Sequence, residues 1–133
     1  MGETSLLVVG VSHRLAAVTL RERVAFSKAD LPGSLRTLRR QRGIRGCVIL
    51  STCNRTECYA VVEDTGTPNE GFSVVAGFLA DRAGMAWEDL RPHIYYLTDS
   101  TVAEHLFKVA SGLDSLVVGE VEILGQVKDC LLY

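Results

Sequence analysis

The chain has 133 residues, 47% of them hydrophobic and 23% charged, with a formal net charge of -2. That is the size of one domain, large enough to bury a core without metals or disulfides, and the balance excludes a broadly basic nucleic-acid coat while leaving room for a local basic patch. No apolar run approaches the roughly 18 residues that cross a bilayer, and residues 1–5 lack the pattern of a secretory signal, so no membrane partner and a cytoplasmic location are expected. Cys47, Cys53, Cys58 and Cys130 are expected to stay reduced. They contain no C-x-x-C and no histidine at a zinc-ligand interval, so no metal site is expected.

In chain order, residues 5–12 (SLLVVGVS) form an apolar, β-branched run that predicts a buried strand. A polar stretch, 20–27, reads as a place for a helical turn. Asp30, Leu31 and Pro32 read as a cap followed by a first-turn proline. Leu31, Leu35 and Leu38 give that helix an apolar stripe, which Gly43 ends. Residues 46–52 predict a second strand and 56–63 its hairpin partner, with Cys53, Asn54 and Arg55 at the connection. Residues 64–70 read as a loop. Phe72, Val75, Leu79 and Ala83 share one helical face. Residues 93–97 predict a fourth strand. Thr101 and Glu104 have capping-box spacing and open a helix that ends near Gly112. A last helix is expected from about residue 122 to 133.

This order predicts an α+β fold: a ferredoxin-like β-α-β-β-α-β sandwich, an antiparallel sheet with helices on one face, with additional C-terminal helices. The last helix has no glycine or proline stop, which suggests an interrupted helix.

The chemistry concentrates in Ser51-Thr52-Cys53-Asn54-Arg55-Thr56-Glu57. A cysteine at a hairpin connection, beside hydroxyl, amide and guanidinium groups, sits where a thiolate can be stabilised. The plainer reading is a small buried residue at a strand end. Cys47, Cys58 and Cys130 read as core or inert. Thr52 and Asn54 offer short polar contacts, to a substrate or to the turn's own backbone. Glu57 either orients Arg55 or is a solvated strand residue. His105 lies at the border of its helix's apolar face, where packed histidines outnumber catalytic ones. Arg36, Arg39, Arg40, Arg42 and Arg45 form a basic run, either a solvated face or a phosphate contact.

STCNRTE resembles the signature of glutamyl-tRNA reductases. Two colinear stretches agree: Gly10-Val11-Ser12-His13 followed by Leu20-Arg21-Glu22-Arg23, and the block from His105 through Gly112, Leu113, Asp114 and Ser115 to Gly119-Glu120 and Gly125-Gln126-Val127-Lys128. The resemblance implies an enzyme that takes glutamyl-tRNA, transfers the glutamyl group to cysteine as a thioester, and reduces it with NADPH to glutamate-1-semialdehyde for tetrapyrrole synthesis. By this resemblance Cys53 matches the nucleophile and His105 the active-site histidine. Arg55 matches the residue that recognises glutamate, suited to it by a planar fork that lysine lacks. Thr52, Asn54, Gly112 and Ser115 complete the expected substrate contacts. His13 is expected to be structural.

The resemblance also implies that residues 1–120 are the N-terminal catalytic, glutamate-recognising domain and 121–133 the start of a linking helix. NADPH would then be bound by a further domain and homodimerisation would use another, both beyond this chain, and the next enzyme of the pathway is a further expected partner. No G-x-G-x-x-G follows a strand, so no cofactor-binding residue is expected here. Ala17 stands where the family commonly has proline, and Glu122 where glutamine is usual. Two rival readings are a non-enzymatic ferredoxin-like ligand-binding or regulatory domain, and a redox sensor using Cys53 and Cys58.

Overall fold

The structure, a computed structural model, describes residues 4–63 and 70–110. Its elements are β1 (Thr4–Ser12), α1 (Val18–Val24), α2 (Leu31–Arg39), β2 (Ile44–Ser51), β3 (Arg55–Glu63), α3 (Glu70–Ala83), α4 (Trp87–Leu90), a 3-10 turn (Arg91–His93), β4 (Tyr95–Thr98) and α5 (Ser100–Ala110). The four strands form one sheet in the order β2-β3-β1-β4, and every pairing is antiparallel.

β1 and β3 hold the centre, and both are largely buried on both faces. Leu7, Val9 and Val11 of β1 and Cys58, Ala60 and Val62 of β3 point to one side, where Leu35 and Leu38 of α2 and Val75 and Leu79 of α3 close the larger core. Val8, Leu50 and Tyr59 point to the other side and pack with Val102 and Val109 of α5. Each fully buried Val or Leu contributes about 1.5–3 kcal/mol relative to exposure, so both layers stabilise the sheet. The expectation of helices on one face is therefore corrected: α5 covers the opposite face. A strand without apolar–polar alternation must be covered twice, and β1 is such a strand.

Local details differ from expectation for identifiable reasons. Asp30 precedes α2 but makes no capping bond; its carboxylate instead accepts from Arg82 Nη2 at 3.0 Å. The Ser27 hydroxyl accepts from Asp30 N at 3.1 Å. Gly43 has φ +82 and follows α2 after its C-cap residue Arg40. Thr101 lies inside α5 rather than at its cap, and its hydroxyl donates to Thr98 O at 2.6 Å. Val102 N donates to Asp99 O at 2.9 Å, with Asp99 at φ 53. α4 and the 3-10 turn were not foreseen; His93 falls in that turn, and β4 begins at Tyr95. The helix expected from about residue 122 lies outside the described residues, as do Gly112, Ser115, Glu122 and Cys130.

Candidate active site

Three residues, Thr52, Cys53 and Asn54, separate β2 from β3. Thr52 N donates to Arg55 O at 2.8 Å, closing the turn. The Thr52 hydroxyl accepts from Asn54 N at 3.1 Å, so this side chain serves the turn's own backbone. The tip is then tied to its surroundings. His13 N donates to Asn54 O at 2.8 Å, and Arg21 Nη1 donates to Cys53 O at 2.8 Å. Below it, the Ser51 hydroxyl lies 3.2 Å from that of Thr56 and accepts from Phe26 N at 2.8 Å. Cys53 is exposed, whereas Cys47 is half-buried and Cys58 buried. A thiol is thus presented to solvent from a backbone anchored on both sides.

The period of two along β3 puts Arg55, Glu57 and Tyr59 on one face, beneath α5. Arg55 and Glu57 are both fully buried, with Arg55 Nη1 3.6 Å from Glu57 Oε2. At that spacing Glu57 is a charge neighbour of Nη1 rather than its hydrogen-bond acceptor. Glu57 is the hub. Its Oε1 accepts from the Tyr59 hydroxyl at 2.8 Å. Its Oε2 accepts from the Tyr95 hydroxyl and contacts His105 Nε2. The rings of Tyr95 and His105 lie 5.5 Å apart at 58°. Burial pushes the Tyr59 hydroxyl far above its ordinary range, and the neighbouring Glu57 charge adds to the effect. Tyr59 therefore stays a neutral donor.

Of the expected site residues, the structure joins Arg55 and His105 through Glu57, with Thr52, Cys53 and Asn54 at the tip of the same hairpin. Glu57 is no solvated strand residue. Tyr59 and Tyr95 were not anticipated, although the alternation of 55, 57 and 59 was a signal for the first. His13 contributes its backbone as a strap. A separate cavity of about 490 Å3 lies between α5 and the β2–β3 side of the sheet, lined by Leu6, Val48, Tyr59, Val61, Val102 and Leu106 among others. It excludes Cys53, and its lining is mostly apolar, with Arg39 among it. Among the described residues no group of three or more His, Cys, Asp or Glu could hold a metal ion, and no helix is long and apolar enough to cross a membrane.

Among the described residues, the antiparallel sheet thus offers one exposed thiol at a strapped turn, on the hairpin that also carries the buried Arg55 and Glu57, with the half-buried His105 against Glu57. The chain belongs to the family described as glutamyl-tRNAGlu reductase, N-terminal domain, whose model matches residues 9–133. It is 47% identical over 127 residues to a glutamyl-tRNA reductase of Carboxydothermus hydrogenoformans, covering 96% of this chain and 28% of that protein. It is 44% identical over 127 residues to one of Geobacillus kaustophilus, covering 96% and 27%. Among solved structures it is similar to glutamyl-tRNA reductase from Methanopyrus kandleri, with a TM-score of 0.66 and 32% identity over 95% of this chain and 27% of the other. The chain thus spans little more than a quarter of the length of these relatives.

Proposed function

We propose that this chain is the catalytic domain of a glutamyl-tRNA reductase, with residues 1–120 forming the glutamate-recognising domain and 121–133 the start of a linking helix. The sheet order β2-β3-β1-β4 with antiparallel pairing throughout supports the ferredoxin-like reading of its topology. The observation that carries the functional reading is the exposed Cys53 thiol on the strapped turn, two residues before the buried Arg55.

In the proposed step, Cys53 Sγ attacks the ester carbonyl of glutamyl-tRNA. The S–H proton is lost, a carbon–sulfur bond forms, and the ester bond to the ribose oxygen breaks, with that oxygen taking up a proton. The products are a cysteinyl thioester and tRNA with a free ribose hydroxyl. Sulfur suits the step because it is nucleophilic near neutral pH. Arg55 recognises the glutamate side-chain carboxylate, and His105 handles the proton. Asn54, Gly112 and Ser115 remain proposed substrate contacts beside Thr52. Arg36, Arg40 and Arg42, exposed on and after α2, are the members of the basic run left for tRNA phosphate. Arg39 already donates to Ile44 O, and Arg45 pairs with Glu63.

The described residues do not form a Rossmann-type seat for NADPH. All strand pairs are antiparallel, whereas a dinucleotide sits at the crevice of a parallel sheet, on a glycine-rich turn. We assign reduction to semialdehyde, and dimerisation, to parts of the protein outside this chain, acting in the cytoplasm within tetrapyrrole synthesis and meeting the next enzyme of that pathway.

The redox-sensor reading is disfavoured by geometry. Cys58 lies three residues into β3, about 10 Å along the strand from its start, on the core face opposite α5. That is beyond disulfide reach of Cys53. The test is intact-mass analysis of the full-length protein after exposure to glutamyl-tRNA without NADPH. A glutamyl adduct mapped to Cys53 is expected at early times, before water cleaves it; tRNA deacylated over the time course with no adduct on Cys53 at any point refutes the thioester.

A further inference from the structure

One row of residues runs across all four strands on the face beneath α5: Leu50 pairs with Glu57, Glu57 with Gly10, and Gly10 with Tyr95. Gly10 stands between the hub carboxylate and the tyrosine that reaches it. A Cβ on Gly10 would lie 2.6 Å from the Tyr95 ring and 2.6 Å from its hydroxyl oxygen. The backbone of Gly10 is not in the left-handed region, so what the site uses is the missing side chain. Glycine weakens a strand interior and marks close approach by something else. Here that is the Tyr95 ring, which crosses β1 at the only bare position in the row.

We infer that Tyr95 is a positioning residue for His105: lying over Gly10, its hydroxyl fixes the Glu57 oxygen that holds the imidazole. The inference rests on the reading of Cys53 and His105 as acyl-transfer machinery. The terminal torsion of a glutamate is soft. Tyr59 on Oε1 and Tyr95 on Oε2 set the plane of the carboxylate between them. A carboxylate only accepts, so His105 Nε2 is the nitrogen that donates to Oε2, and Nδ1 is the one left to take and return a proton. The tilted Tyr95 ring beside the imidazole limits its rotation. Tyr95 thereby controls His105 from both sides, through the carboxylate and by ring contact.

Two variants of the full-length protein test this. Tyr95→Phe keeps the ring and deletes the hydroxyl; Gly10→Ala pushes the ring off β1. The first readout is the proton on His105 Nε2 in protein labelled with 15N-histidine, assigned by its loss in His105→Asn. The second is the single-turnover rate of Cys53 acylation. The wild type is expected to show a downfield, slowly exchanging Nε2 proton, which both variants shift upfield and expose to exchange. Acylation at saturating glutamyl-tRNA should slow about tenfold in both, with the half-saturating concentration held within about twofold. A Tyr95→Phe protein with the wild-type His105 signal and rate overturns the inference. Should Gly10→Ala fail to fold, Tyr95→Phe decides alone. Absence of acylation in the wild type refutes the proposed function instead, and the His105 signal still decides the role of Tyr95.

Discussion

Cys53 differs from the other described cysteines in exposure and in the bonds that hold its backbone, and those two properties separate its expected chemistry from theirs. Cys53→Ser in the full-length protein should lower acylation and turnover by more than about 10³-fold. Its melting temperature should stay within about 2–3 °C of wild type, because an exposed turn side chain contributes little to packing. Retained turnover would remove Cys53 as the nucleophile. Arg55→Lys tests a different property at the same hairpin. Lysine keeps the charge beside Glu57 but loses the planar fork, so discrimination between glutamyl and glutaminyl esters should fall on the order of a hundredfold, roughly 3 kcal/mol. Unchanged discrimination, with melting measured alongside, moves carboxylate recognition elsewhere. The turn was legible in the sequence because Cys53, Asn54 and Arg55 are contiguous and polar between two apolar runs. The Glu57 hub was legible only in part. Period two places Arg55, Glu57 and Tyr59 on one face, but nothing local says that this face is buried. Gly10 and Tyr95 reach Glu57 through strand pairing, over a separation that no local pattern encodes. The one available signal was a glycine interrupting the β-branched run of β1.

Arg82 shows how one side chain joins elements that the sequence presents separately. From α3, its Nε donates to Ala25 O at 2.9 Å, its Nη2 donates to Asp30, and its guanidinium carbon lies 4.6 Å over the Phe26 ring. The hydrogen bond from Arg82, followed by that from Ser27, holds the Asp30 carboxyl below its ordinary value of 3.8. A depressed carboxyl stabilises the fold while ionised, so the contribution is present above pH 3.8 and is lost as pH falls through the lowered value. Asp30→Asn should therefore flatten the acid limb of a melting-temperature profile below about pH 4 and change little at neutral pH, where an exposed ion pair is weak. An acid limb identical to wild type would show that the pair is inert. Asp30 was expected to cap α2; its contact with Arg82, 52 residues away, competes with that role and is invisible to local spacing. β1, β2, β3 and α3 were readable because their apolar patterns are long. α4 was not, since four residues carry no periodicity to measure. The placement of α5 was readable in principle, from a β1 too apolar for a sheet covered on one side.

At the scale of the molecule, the proposed chemistry divides between what this sheet holds and what it does not. Cys53, Arg55, Glu57 and His105 lie on one hairpin and the helix above it, so the proposed acyl transfer draws on residues of this chain, with further proposed contacts at Thr52, Asn54, Gly112 and Ser115. Hydride delivery needs a cofactor held against the thioester carbonyl, a task the proposal assigns to parts of the protein outside this chain. A bound reactant gains an effective concentration that free cofactor in solution does not approach, on the order of 10⁵ M or more in well-oriented cases. The 133-residue chain, given glutamyl-tRNA, should therefore release tRNA and slowly yield glutamate as water cleaves the thioester. Semialdehyde should stay absent even at millimolar NADPH. The full-length protein under the same conditions should make it, which ties the difference to the added parts. Both products are measurable in one reaction, glutamate by mass and semialdehyde by trapping with a hydrazine. Semialdehyde from the 133-residue chain would overturn the division of labour. Absence of tRNA release, with the adduct still forming on the full-length protein, would show that the glutamate pocket is completed by parts beyond residue 133.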